Sequence, residues 1–140
     1  MINKITGDIN ISDIIIIKHN DLLKDVMSLN IGQTNQKIDH HNGWIWLKST
    51  NVLIANQYFT FHFGFLHNQL KQISFVLSDS IYKLSSDWST WSERQELDNL
   101  ERYQKWLLQE LGTQRDFDWG NVWALYDPKG GSSSIGMCYK

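Results

Sequence analysis

Between Gln57 and Ser78 apolar and polar positions alternate over two successive runs. Phe59, Phe61, Phe63 and Phe65 interleave with Tyr58, Thr60, His62 and Gly64, which sets four phenylalanines on one face of a β-strand. His67-Asn68-Gln69 turns the chain. Lys71, Ile73, Phe75 and Leu77 then interleave with Gln72, Ser74, Val76 and Ser78, the pattern of a hairpin with one apolar face. A wall of phenylalanines is core, so this stretch specifies architecture and carries no chemistry.

The rest of the chain yields further elements. Residues 2–11 read as a short strand broken at Gly7-Asp8, and 13–18 as a second strand. Its isoleucine run, Ile14 to Ile17, predicts burial on both faces, as in a central strand. Asn20 or Asp21 is placed to cap a short helix carrying Leu22, Leu23, Val26 and Met27, with Asn30 or Gly32 ending it. The polar run 30–43 reads as an exposed loop. Trp44 and Trp46 share one face of a strand over 43–48, and 52–55 continues it or pairs with it. Residues 80–84 suggest a short edge strand.

The clearest helix covers 89–111. Thr90 and Glu93 have capping-box spacing. Leu97, Leu100, Tyr103, Leu107, Leu108 and Leu111 fall within an arc of roughly 140°. Asp98 with Arg102 and Glu101 with Lys105 are acid-first pairs at i, i+4. Gly112 ends the helix, and Trp106, off the stripe, either widens the packed face or stands exposed. A strand over 118–126, a turn over 127–131 and a closing strand over 133–139 complete the chain. The elements sum to an α+β fold over 1–140. One domain is expected, a mostly antiparallel sheet with one long helix in its C-terminal half and one short N-terminal helix packed on it.

Charge sharpens the picture. The net value of −2 hides +1 over residues 1–86, −5 over 87–127 and +2 over 128–140. The acidic segment also holds Trp88, Trp91, Trp106, Trp119 and Trp123, five of the seven tryptophans. It repels phosphate backbones, so no nucleic-acid partner is expected, and a basic protein suits it better. Asp87, Trp88, Trp91, Glu93, Glu96, Asp116, Asp118 and Trp119 are the candidate partner-binding residues: carboxylates steer the encounter and indoles anchor it. The competing reading takes these acids as solvated surface and the tryptophans as core.

Catalytic and metal motifs find little support. Lys129 precedes Gly130-Gly131-Ser132-Ser133-Ser134 and a strand follows, the reverse of a phosphate loop. His19, His40, His41, His62 and His67 have no acid or cysteine cluster at ligand spacing, so no metal or other cofactor is expected. No carboxylate pair is marked for acid–base work. Cys138 is the only cysteine, which excludes an internal disulfide and suits a reducing compartment. With no long apolar run near the N-terminus, a soluble cytoplasmic chain that does not engage membrane is expected.

From Trp88 onward a set of motifs stands out. The opening W-x-x-W-S-x-x-x-E is followed by Y-x-x-W-L on the helix, then W-G-x-V and Y-D-P-K-G-G-S-S-S-I. This run resembles small bacterial immunity proteins encoded beside polymorphic or contact-dependent growth-inhibition toxins. The resemblance implies a non-enzymatic inhibitor, a monomer or weak dimer. It would bind one cognate toxin domain, often a nuclease, and block its active site in the cytoplasm. The alternative is a ligand- or protein-binding module unrelated to toxins, with an apolar pocket lined by Trp44, Trp46 or His62.

Overall fold

The computed structural model describes residues 1–81 and 92–140. A two-stranded sheet pairs β1 (Ile9–Asn10) with β2 (Ile16–Ile17), and α1 (Leu23–Ser28) follows. Then come β3 (Thr34–Asp39), β4 (Trp44–Ile54), β5 (Gln57–Leu66), β6 (Gln69–Ser78), α2 (Glu93–Leu111), β7 (Asp116–Phe117), β8 (Gly120–Asp127) and β9 (Ser132–Tyr139). The strands after α1 form one seven-stranded antiparallel sheet in the order β3-β4-β5-β6-β9-β8-β7. The chain is therefore an α+β protein, as its patterning predicts.

The aromatic hairpin forms with Phe59, Phe61, Phe63 and Phe65 all buried. Its turn is His67-Asn68, both at positive φ (50° and 67°), the backbone a tight two-residue hairpin turn requires. Ala55-Asn56 turns β4 into β5 the same way, at 49° and 66°. In one respect the register departs from simple alternation. Phe65 pairs with Leu70 while Gly64 pairs with Gln72, so Lys71 is bulged out of the ladder. Leu70 takes the core position that strict alternation assigns to Lys71, and the Lys71 ammonium donates to Asn20 Oδ1 at 2.6 Å.

Three expectations for the N-terminal half are corrected. The isoleucine run is not a central strand: only Ile16–Ile17 pairs, in the small sheet, and Ile14 is 90% exposed while Ile17 is fully buried. The polar stretch 30–43 is not all loop, because Thr34–Asp39 pairs along β4 as the edge of the large sheet. Its side chains are mostly exposed, which is why it reads as loop. Neither Asn20 nor Asp21 caps α1: the cap position is Leu22, with no side-chain hydrogen bond, and Asp21 Oδ2 accepts from the Lys18 amide instead.

Ser92, extended at φ −145° and ψ 125°, caps α2 by accepting from the Gln95 amide, so the helix begins at Glu93. Thr90 lies outside the described residues. Gly112, at φ 71°, ends the helix, its amide donating to Leu108 O. The packed face is rotated from the predicted stripe. Tyr103, Leu107 and Leu111 are buried, but Leu97 and Leu108 are exposed. Trp106 turns inward instead, edge-on to Phe59 and Phe75 with ring centres 5.9 and 5.6 Å away. It thereby ties α2 to the phenylalanine face of the sheet. Glu101 pairs with Lys105 at 3.3 Å, whereas Arg102 turns to Asp79 at 3.6 Å rather than to Asp98.

The predicted strand over 118–126 is two pieces: β7 and β8 flank a turn at Asp118-Trp119. β9, the last strand of the chain, runs through the middle of the sheet, between β6 and β8. Ser80 and Ile81 are not in a strand, and the remainder of that expected strand lies outside the described residues.

Candidate functional site

Alternation gives the large sheet two unlike faces. One carries the phenylalanines and receives α2. On the other, the cross-strand register aligns Gln36, Lys48, His62, Ser74, Gly136 and Trp123 in one row across six strands. A parallel row runs Ile38, Trp46, Gly64, Gln72, Cys138 and Asn121. No described helix packs on this second face.

Tryptophans dominate it. Trp44 and Trp46 stack at 5.9 Å and 14° and are half-buried. Trp46 lies over Gly64, where an added Cβ would come within 2.7 Å of the ring, and the Trp123 indole lies over Gly136 in the same manner. Each glycine is a seat for an indole in a strand interior. Flat, partly exposed aromatics of this kind anchor partners at interfaces.

The ladder between β6 and β9 is short. It joins Gln72–Phe75 to Ile135–Cys138 and then stops, although β6 runs on to Ser78 and β9 begins at Ser132. Where the strands diverge a cleft of about 450 Å³ opens, reaching from Lys48 and His62 on the tryptophan face to Glu96, Asn99, Arg102 and Tyr103 on α2. Hydroxyl groups of Ser74, Ser132 and Ser134 line its edges. Burial lowers the His62 pKa, and the Lys48 charge lowers it further, so the imidazole is neutral at pH 7. Burial holds the Tyr103 phenol protonated, its pKa pushed up to about 12 with a further contribution from Glu96.

The sequence-derived acidic set separates into two stations. Glu93 and Glu96 lie in the first turn of α2. Near them stand Tyr126 and Asp127, and the Tyr126 phenol is raised first by burial, then by Glu93, Glu96 and Asp127. Glu96 is partly engaged: its Oε2 accepts from the Ser133 amide at 2.9 Å, and its carbonyl accepts from the Ser133 hydroxyl. Asp116 and Asp118 are exposed beyond the other end of the helix, bordering a depression shared with Lys4 and Lys140. Nineteen helical residues separate the stations by roughly 28 Å. Trp119 is half-buried at the second station, stacked on Phe117 at 4.9 Å, its indole N–H donating to Lys4 O at 2.8 Å. Asp87, Trp88 and Trp91 lie outside the described residues.

Of the candidate pocket residues, His62 lines the cleft and Trp44 and Trp46 do not. Sequence reasoning missed Lys48, Asn99 and Arg102, because only cross-strand register and the rotation of α2 bring them together. Among the described residues, no group of three or more His, Cys, Asp or Glu is placed to hold a metal, and no helix is long and apolar enough to cross a membrane.

These features define an α+β protein with one helix-covered sheet face and one face bearing tryptophans and a polar cleft. More particularly, the fold is similar to that of a chain in the solved structure of Rhs1-CT in complex with its cognate immunity protein RhsI1. The match covers 99% of this chain and 86% of that one, with a TM-score of 0.54 and 12% identity. At that identity the likeness concerns the fold alone. No protein-family model matches the chain, and no curated protein matches its sequence.

Proposed function

We propose that this chain is an immunity protein that binds and neutralises one cognate toxin domain in the cytoplasm, without catalysis of its own. The observation that carries the reading is the fold likeness, which extends over nearly the whole chain to a complex between Rhs1-CT and its cognate immunity protein. The motifs from Trp88 to Ile135 support it separately. The toxin is a nuclease whose active site the bound protein occludes. The acidic residues Glu93, Glu96, Asp116 and Asp118 steer a basic partner and Trp119 anchors it, and Asp87, Trp88 and Trp91 belong to the same proposed set by their sequence. An interface of ordinary size covers about 800 Å² per partner, roughly 28 Å across, so one footprint along α2 reaches both stations.

The test begins with capture of partners by the tagged protein from its own cells, with bound proteins identified by mass. Each captured protein is then expressed alone and together with this chain. The reading expects one that stops growth alone and is harmless in the chain's presence. Glu93→Lys and Asp118→Lys, made singly, are each expected to slow association and to flatten its decline with salt. A folded chain that relieves the toxicity of nothing it captures would overturn the proposal.

A further inference from the structure

The cleft between β6 and β9 has features that an inhibitory surface does not require. Lys48, His62 and Ser74 occupy the same row on three adjacent strands, at register positions Lys48↔His62 and His62↔Ser74. Side chains directly opposite on one face stand about 5 Å apart at Cβ, so ammonium, imidazole and hydroxyl converge on one space. The charges on the helix side are already engaged. Arg102 pairs with Asp79, and Glu96 accepts from the Ser133 amide. The Lys48 ammonium has no carboxylate partner among the described residues, and it adjoins a neutral imidazole rather than an anion. The volume of about 450 Å³ lies within the range of small-molecule sites, about 300–1,000 Å³.

The geometry points to a binding site for a small polyhydroxylated oxyanion, a sugar phosphate or sugar acid, held by Lys48 at its charged end and by the surrounding hydroxyl and amide groups along its length. Lys48 supplies the point charge that attracts the oxyanion. His62, neutral, offers one donor and one acceptor, and Ser74 and Asn99 extend the hydrogen bonding. Across the cleft Glu96 repels a second anionic group but accepts from a hydroxyl, which favours one charged end and one neutral, hydroxyl-bearing end. Phe75 and Val76 back the site with apolar surface. The inference rests on the cleft alone and is independent of toxin binding.

The experiment is a titration of the ¹³C-labelled full chain, following the imidazole signals of His62 by NMR. Ribose 5-phosphate, gluconate and uncharged ribose are added separately at pH 7.5. Saturable movement of the His62 signals below about 10 mM is expected with one or both charged probes. Which of the two binds distinguishes phosphate from carboxylate. Lys48→Met is expected to weaken that binding roughly tenfold or more, the loss of one charge-assisted hydrogen bond. Near-UV circular dichroism of the tryptophans checks that each variant is folded. Ser74→Ala, a milder change, is the second variant if Lys48→Met fails that check, and is expected to weaken binding severalfold. No saturable shift with either charged probe would overturn the proposal. So would equal binding of ribose, or binding unchanged by the folded variant.

Discussion

Trp106 and Leu108 lie two residues apart on α2, and helical periodicity ranks them in the opposite order to the structure. The apolar stripe includes Leu108 and leaves Trp106 outside it. In the structure Trp106 meets Phe59 and Phe75 edge-on, while Leu108 is 49% exposed. Trp106→Ala removes a half-buried indole. Complete burial of such a ring is worth about 3–5 kcal/mol on truncation, and edge-to-face contacts add about 0.5–1.5 kcal/mol per pair. Discounted for the exposed half, the loss is about 3 kcal/mol. Leu108→Ala exchanges one good helix former for a better one on an exposed face, and its effect stays within about 0.5 kcal/mol. Urea unfolding followed by far-UV circular dichroism avoids any reliance on tryptophan fluorescence. At a slope of about 2 kcal/mol per molar urea, the Trp106→Ala midpoint falls by about 1.5 M and the Leu108→Ala midpoint barely moves. If Leu108→Ala costs as much as Trp106→Ala or more, the rotation of α2 described here is wrong.

Gly120→Ala and Gly136→Ala are expected to differ although both crowd a neighbour. At Gly120 a Cβ would meet the backbone carbonyl of Cys138, which cannot move alone, so about 3 kcal/mol is lost; at Gly136 it meets the Trp123 ring, which can swing outward at smaller cost. Thermal unfolding of the two variants should rank them in that order, and the reverse order would contradict it. His19 stacks on Tyr139 with its Nε2 buried and unpartnered, and burial together with Lys71 lowers its folded-state pKa below 6.5. Below about pH 6.5 the unfolded chain therefore binds the proton first, so stability is intact above that pH and falls as the solution is acidified. His19→Phe keeps the stack without the titration, and its urea midpoint should decline less between pH 7 and pH 5 than that of the parent; an equal decline would assign the acid sensitivity elsewhere. Lys37 sits mid-strand on the edge strand β3, where a lysine discourages pairing with another chain. Lys37→Val is expected to raise the mass measured by light scattering at high concentration, and an unchanged mass would mean that the edge is guarded by other means.

The parts of the fold legible in the sequence are those where one physical signal dominates. Four phenylalanines at period two, followed by residues that tolerate positive φ, specify the hairpin with little ambiguity. Gly112 marks the end of α2 for the same reason. The bulge at Lys71 has no such signal, because the extra residue is a lysine that any exposed strand position would accept. β3 escapes notice because an edge strand with exposed side chains has no apolar face to display. The isoleucines 14–17 mislead in the other direction, since a small flanking sheet leaves Ile14 in solvent and a central strand would not. Of the candidate site, the acidic residues and their placement at the two ends of the long helix are legible in the sequence, because the apolar stripe gives the helix its length. The cleft is not legible there: Lys48, His62 and Ser74 share a row of the local meander, but the cleft forms only where β9 and α2, far along the chain, bring Ser132 and Asn99 against them.

The short seam between β6 and β9 also bears on how the molecule assembles. The meander from β3 to β6 closes through tight turns, and β8 joins β9 through a short one, so each forms from contacts local in sequence. Joining them requires Phe75 to find Ile135 across about sixty residues, at a loop-closure cost about 3 kcal/mol above that of a two-residue turn. The seam is then the slow, late step of folding, after the two halves of the sheet are already in place. It is also the line along which the two halves of the sheet would part, and hydrogen exchange of the Gln72–Phe75 and Ile135–Cys138 amides bonded across the seam would track that parting separately from the amides bonded between β5 and β6.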